Sequence, residues 1–445
     1  MPPVRPRLFS LAWPLFLEML LGIGVGVVAT GMAGRLSNNA GAAFATGTQL
    51  ASTLFLLFRI IGAGISVVIT QNLGAGRREQ ADAVARAALG ASSWIGGFSA
   101  LMALAFAGPL LRLLNTPDEV VPLAQPLLRW LAPAILLDIW NASMVSVMRA
   151  HMRSRDTLAV IVVMQAVVLL LAVPLMPWLG LEGYALAVFV SRALGLALHL
   201  WLWRWRLGLR PRWSDWWRLR RGELAAVLHI GVPGAAENIV YRLCFMASVS
   251  AVGTLGTQAL ATHAYAQQLM FAVLLFGLSI GFAAEIMVGH MIGAGQLHAA
   301  HRLVRRALGV GLVASVLIAS GFALASPWLL RFFTQDPHII AMGVTLMWCT
   351  VALEPGRTFN LVVINALRAA GDARFPVMAG ALSMVFVLAG GSWLLGVHLG
   401  LGLVGVWIAY AADEWIRGLM MWERWRRHGW VAHARATHRR VRVQS

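Results

Sequence analysis

Twelve stretches of this chain are long and apolar enough to cross a hydrocarbon layer, and that leaves few folds open. An apolar core about 30 Å thick takes about 20 residues of helix. Runs of that kind cover 8–34, 44–74, 86–111, 120–148, 157–178, 183–203, 224–253, 261–291, 304–330, 338–367, 376–397 and 402–423. None alternates with the period of two that marks a strand. A helix satisfies its own backbone groups in lipid, so the expected fold is an all-α membrane bundle of twelve transmembrane helices. Only 12% of the residues are charged, against about 25% in soluble proteins. The opening "MPPVRPRLFSLAWPLFLEML" starts basic, but no small-residue cleavage site follows, and no removable signal peptide is expected.

The formal charge of +18 raises the question of nucleic acid, and its placement answers it. Arg5 and Arg7 precede the first run, and Arg77, Arg78 and Arg86 follow the second. Arg149, Arg153 and Arg155 follow the fourth, and seven arginines from Arg204 to Arg221 fill the centre. Arg302, Arg305 and Arg306 follow the eighth, Arg368 and Arg374 the tenth, and Arg424 to Arg442 the last. The intervening loops hold little beyond Arg35, Arg112 and Arg331. That is the positive-inside bias, which puts both termini in the cytoplasm and makes lipid, not nucleic acid, the partner of this charge; a bacterial inner membrane is the expected location. Cys244 and Cys349 both fall inside apolar runs, too few for a thiolate zinc site and without a loop to staple.

The chain also says the same thing twice. "QNLGAGRREQADAVARAALG" ends at Gly90 and "HMIGAGQLHAAHRLVRRALG" at Gly309, 219 residues later. At that offset Pro14 and Glu18 fall on Pro233 and Glu237, Gln49 on Gln268, Arg112 on Arg331, and Asn141 on Asn360. Arg149 with Ala150 falls on Arg368 with Ala369. Matches of Pro, Glu, Asn, Gln and Arg at one fixed shift mark a duplication. The expected organisation is a six-helix lobe over 1–203, a basic cytoplasmic linker over 204–223, and a second lobe with a basic tail over 224–445. Six helices return the chain to its starting side, so the lobes form a parallel pseudo-two-fold repeat. The linker's Trp205, Trp213, Trp216 and Trp217 suit a segment in the headgroup zone. The glycines of Gly-Ala-Gly suit a helix end followed by a sharp turn.

Several stretches resemble the multidrug and toxic compound extrusion transporters: "VATGMAGRLS", "QNLGAGRREQA", "VGHMIGAG", "EPGRTFNLVVINALRAAGDARFPV" and "GLGLVGVWIAYAADEWIRG". The resemblance covers essentially the whole chain. It implies twelve helices in two lobes, and export of bulky, often cationic compounds in exchange for protons or sodium, with no other cofactor. Three positions depart from the family's pattern. Ala29 stands where many members carry an ion-coupling Asp, and His290 where a glutamine is frequent. An acid that some members place near Tyr241 or Arg242 appears earlier, at Glu237. Two alternatives share this outline: a major-facilitator transporter, whose Asp-Arg-Gly pattern after the second run is missing here, and a flippase for a lipid-linked precursor, which needs arginines facing anionic headgroups.

Ionisable groups within membrane spans cost about 2.5 kcal/mol or more each, so they are candidates for function. The first lobe holds Glu18 and Asp138 against Arg59, Arg129 and Arg192, and the second holds Glu237, Glu285, Glu354, Asp413 and Glu414 against Arg242, Arg357 and Arg417. The acid surplus lies in the second lobe, and a cation site is expected there. Glu354 with Arg357, Glu414 with Arg417 and Asp413 with Arg417 have helical spacing for salt bridges. Glu237 and Glu285 have no partner at such spacing, and Pro233, four residues before Glu237, frees a carbonyl beside it. Burial favours a carboxyl's neutral form and a nearby cation its charged form, so a proton and a cationic, amphipathic substrate can compete for one site. Tyr241, Arg242, Phe245, Tyr265, Met270 and Phe359 are candidate lining residues. The histidines lie scattered without ligand spacing, no metal site is expected, and no catalytic constellation argues for an enzyme. Monomeric action is compatible with all of this.

Overall fold

The computed structural model describes residues 8–114 and 116–443, apart from the side chains of Arg59, Arg442 and Val443; Arg5 and Arg7 lie outside these residues. Helix follows helix throughout: α1 (Leu8–Leu36), α2 (Asn38–Phe55), α3 (Arg59–Gly74), α4 (Arg78–Ala105), α5 (Ala107–Leu113), α6 (Val121–Ala150), α7 (Ser154–Leu179) and α8 (Leu181–Leu202). After the linker come α9 (Arg221–Thr254), α10 (Thr257–Gly293), α11 (Leu297–Arg331), α12 (Pro337–Ala369), α13 (Arg374–Ser383), α14 (Gly402–Arg426) and α15 (Val431–Val443). A 3₁₀ turn at Leu56–Phe58 joins α2 to α3, and π-helical turns at Met384–Ala389 and Ser392–His398 carry α13 onward.

Eleven stretches among the described residues are long and apolar enough to cross a membrane. The twelfth expected span, α14, misses that standard because Asp413, Glu414 and Arg417 sit in its middle. Their burial, described below, is what makes such a helix tolerable. Local signals open the helices where the sequence supplies them. The Ser37 hydroxyl accepts from the Ala40 amide at 3.0 Å. Asp336 caps α12, accepting from the His338 amide at 2.9 Å, with Pro337 in the first turn.

The 219-residue shift holds in three dimensions. α2 opens at Asn38 and α10 at Thr257; α3 closes at Gly74 and α10 at Gly293; α4 opens at Arg78 and α11 at Leu297; α6 closes at Ala150 and α12 at Ala369. The two glycines of each Gly-Ala-Gly do different work. Gly76 and Gly295 take φ of 77° and 73°, the left-handed conformation that ends a helix. Gly74 and Gly293 instead lie against backbone carbonyls, Gly74 against His290 and Gly293 against Gln71. A side chain at either would collide with the facing helix. The sharp turn was legible in the sequence; the close crossing was not.

The residues cluster into two compact units. One comprises Leu17–Ile69 and Arg77–Gly231. The other comprises, among the described residues, 8–16, Thr70–Gly76 and 232–443. In the first, the linker is folded: Asp215 is buried, accepts from the Arg212 amide at 2.9 Å and pairs with Arg220 at 2.8 Å. In the second, α9, α10, α12, α14 and the first π-helical turn share a core that includes Cys244, Met270, Leu353, Met384, Trp407 and Tyr410. The amphipathic α15 lies across this unit's loop ends, where His438 Nδ1 is 2.9 Å from the Gly293 carbonyl oxygen.

Candidate functional site

The second unit gathers its spans' charges into two buried groups. The larger is built by α12 and α14. Glu354 Oε1 is 2.6 Å from Arg357 Nη1, and Arg357 Nε donates to Glu414 Oε1 at 3.1 Å. Arg417 Nη2 lies 2.7 Å from Asp413 Oδ2 and 3.0 Å from Glu414 Oε1. Asn360 Nδ2 donates to Glu414 Oε2 at 3.0 Å, and the Ser383 hydroxyl donates to Asp413 Oδ1 at 2.6 Å. The same-helix bridges follow from spacing. The link between helices, Arg357 to Glu414, does not, and it fuses three carboxylates and two guanidinium groups into one network. With every member ionised the network carries one surplus negative charge.

The smaller group joins α9, α10 and α12. Arg368 Nη2 lies 2.5 Å from Glu237 Oε2. Glu237, which has no partner at helical spacing on its own helix, takes one from the C-terminal end of α12, among arginines that the charge count places in a loop. Glu285 remains. It is buried, no ion pair reaches it among the described residues, and Arg368 is the cation that acts on it electrostatically. Gly281 and Gly289, one turn to either side, bring this face of α10 close to Asn365 and Thr70. Asn365 Oδ1 and Arg368 Nε are buried on α12 with no hydrogen-bond partner among the described residues. Here too two carboxylates share one arginine.

The first unit has no such surplus. Glu18 pairs with Arg149 and accepts from the Thr157 hydroxyl at 2.6 Å. Arg192 Nε lies 2.6 Å from Asp138 Oδ1. Asn141 donates to the Arg192 carbonyl and sits 2.8 Å from His199 Nδ1. Ala29 is fully buried. Arg129 and Arg242, counted from sequence among the buried cations, are exposed.

The Glu18–Arg149 and Glu237–Arg368 pairs are one feature repeated: each spans 131 residues, and the 219-residue shift carries one onto the other. Both halves of this pair stand among the repeat matches, Pro-x-x-x-Glu in one run and Arg-Ala at the end of another. Co-occurrence at one offset was the signal that could have joined them.

Three of the six candidate lining residues gather at the larger network. The Tyr241 ring has Arg417 Cζ 5.9 Å from its centroid and stacks on Phe245 at 6.0 Å; Met270 Sδ is 3.9 Å from Arg357 Nη2. The other three go elsewhere. Arg242 is exposed, Tyr265 stacks on Phe333 at 5.3 Å in a separate cluster, and Phe359 packs on Trp415 and Trp422.

Comparison with known proteins follows this geometry. The MatE family model matches residues 14–178 and 233–393, the two halves of the repeat. The uncharacterized transporter YisQ of Bacillus subtilis is 33% identical over 434 residues, covering 95% of this chain and 94% of its own. A probable multidrug resistance protein, NorM of Bradyrhizobium diazoefficiens, is 29% identical over 430 residues, covering 91% and 90%. Among solved structures, the Vibrio cholerae MATE transporter VcmN in its bent form superposes with a TM-score of 0.87 at 21% identity, over 97% of both chains.

Proposed function

The chain belongs to the MatE family of multi-pass membrane transporters, and from that premise we propose that it exports cationic, amphipathic small molecules in exchange for protons. The family match sets the major-facilitator plan aside. In this reading 1–203 and 224–445 are the two lobes of an alternating-access cycle, 204–223 is their cytoplasmic link, and both termini face the cytoplasm.

One observation carries the proposal: the buried acid surplus is confined to the second unit, and within it Glu285 has no ion-pair partner among the described residues. A buried carboxyl with only a shared arginine holds a proton or a cation in turn, since either neutralises it. Glu285 is the proposed exchange group. The Glu354–Asp413–Glu414 network supplies the standing negative field that draws a cation inward. Glu237, Glu18 and Asp138 are assigned to structure, each held by its arginine. An inward proton gains about 2.3 kcal/mol per 100 mV of membrane potential, enough to drive the cycle one way.

The flippase reading needs free arginines for an anionic headgroup. Of the four arginines that could meet one, Arg59, Arg192, Arg242 and Arg357, Arg357 is engaged by Glu354 and Glu414 and Arg192 by Asp138, which favours the cation exporter; Arg242 is exposed, and the side chain of Arg59 lies outside the described residues. The test is dye efflux from proteoliposomes under a proton gradient alone and a sodium gradient alone. Proton-driven efflux that Glu285→Gln abolishes supports the proposal; sodium-driven efflux, or Glu285→Gln with the parent's proton response, defeats it.

A further inference from the structure

The linker is a folded platform of the first unit, and the exchange mechanism gives it no task. Asp215 is its pin: the carboxylate is buried, accepts from the Arg212 amide at 2.9 Å and holds Arg220 at 2.8 Å. The pinned turn lies against α4 and α6. Gly90 meets the Arg218 carbonyl oxygen so closely that a side chain there would collide with it. Trp94 Nε1 donates to the Trp217 carbonyl at 3.0 Å, and the Trp216 ring meets the Trp140 ring edge-on at 4.8 Å. Trp140 is fixed in turn by its 2.8 Å bond to Ser93 Oγ. A segment that only joins two bundles needs no buried carboxylate and no such docking.

What the platform turns outward is one surface. Trp216 packs inward, while Trp213 and Trp217 are 79% and 52% exposed and meet each other edge-on at 6.4 Å. Arg212 and Arg218 flank this pair in sequence, and both are exposed. Two acids, Asp215 and Glu223, stand against the linker's seven arginines. Asp215 is engaged by Arg220, and Asp156 of α7 lies 3.9 Å from Arg206. No ion pair reaches Arg212 or Arg218 among the described residues. Beside the Trp217 carbonyl an apolar stripe begins. Trp94, Phe98, Leu101 and Leu104 of α4 are all exposed. Their spacing of three and four puts them on one face, over about 15 Å of helix.

We propose that this surface is a binding site for an anionic phospholipid, with its phosphate on Arg212 and Arg218, the Trp213 and Trp217 indoles at the glycerol level, and an acyl chain along the α4 stripe. Guanidinium groups without a carboxylate partner receive phosphate oxygens through paired hydrogen bonds. Exposed tryptophans belong at the boundary between headgroup and chain. A zwitterionic headgroup brings its own cation to the phosphate and gains less from the arginines, so the site selects anionic lipid. The proposal rests on the chain being a membrane transporter and not on which ion it exchanges. The pin is what separates a site from the general pull of an anionic leaflet. A loose basic loop is drawn in by its charge alone. Here the arginines and outward tryptophans keep fixed places because Asp215 holds the turn.

The test titrates the full chain, in neutral detergent, with phosphatidylglycerol or phosphatidylcholine and counts retained lipid by native mass spectrometry. Three variants are compared with the parent. Arg212→Gln with Arg218→Gln removes two guanidinium groups and leaves the pin, which uses the Arg212 amide. Arg435→Gln with Arg439→Gln removes the same charge from the exposed face of α15. Asp215→Asn removes a negative charge and loosens the turn. The parent should hold phosphatidylglycerol more tightly than phosphatidylcholine. The linker double variant should bind phosphatidylglycerol roughly 30-fold more weakly, the tail double variant like the parent, and Asp215→Asn more weakly despite its added positive charge. Equal losses in the two double variants, tighter binding by Asp215→Asn, or a parent that holds both lipids alike each overturn the proposal. Hydrogen exchange at the amides of 213–218 gives a second reading. Phosphatidylglycerol should slow it and inorganic phosphate should not; equal protection by phosphate makes this a free-anion site and overturns the lipid assignment.

Discussion

The repeated ion pair permits a quantitative test, because its two copies have different neighbours. Arg368 and Glu237 are buried to similar extents, with 12% and 11% of their side chains exposed. Removing one member of a buried pair typically costs about 3–5 kcal/mol, since the survivor is left charged in a poor solvent, while replacing both by apolar groups is often neutral. In the second unit, however, Arg368 has Glu285 as a second acid, whereas the ion pair of Arg149 is with Glu18 alone among the described residues. Glu237→Gln should therefore cost less than Glu18→Gln. The order reverses for the arginines. Arg368→Met strands two carboxylates, while Arg149→Met strands one that keeps the Thr157 hydroxyl. The cost of Arg368→Met should also fall in mildly acidic buffer, because a carboxyl without its cation is tolerated only when protonated. The assay is thermal unfolding of the purified chain for all single variants and for both Gln/Met doubles. A coupling energy of about 1–3 kcal/mol is expected for each pair. Equal costs for the two glutamine variants, or doubles as damaged as the sum of their singles, would falsify the assignment of these pairs as buried structural locks.

Three further outcomes follow from the same geometry. Glu285→Gln should abolish proton-driven efflux while leaving thermal stability near the parent's, since the amide fills the same volume and no ion pair is broken; a large loss of stability with transport retained would contradict this. Gly74→Ala and Gly293→Ala should each cost about 1–3 kcal/mol through forced separation of facing backbones, whereas Gly309→Ala, whose added methyl meets nothing within 4 Å, should be harmless; thermal unfolding of the three variants decides. Ending the chain after Arg427 removes α15 and its contact with the Gly293 carbonyl, so hydrogen exchange should speed up at the amides of Ala294, Gly295, Gly371 and Asp372; unchanged protection there would show that the tail helix does not hold these loops.

What the sequence made legible divides by physical cause. Span lengths and the duplication were readable because both are statements about one chain direction: lipid thickness sets the first, and a fixed offset sets the second. Within-helix bridges such as Glu354–Arg357 were readable for the same reason, since 3.6 residues per turn converts spacing into contact. Arg149 and Arg368 were not recognised as partners because a positive-inside count assigns every arginine at a span end to the cytoplasm. A guanidinium at such an end can reach back into the bundle, and here two do. Arg129 and Arg242 were misjudged in the opposite sense. Position within an apolar run says how deep a residue lies and nothing about which side of the helix it occupies, and a helix whose apolar residues run all round gives no stripe from which to infer the side. A charge surplus assigned to the second lobe by counting thus survives in the structure, but on different arithmetic. Arg242 leaves that lobe's count and Arg368 enters it through Glu237, so the surplus is unchanged: one negative charge in the Glu354–Asp413–Glu414 network, and Glu285.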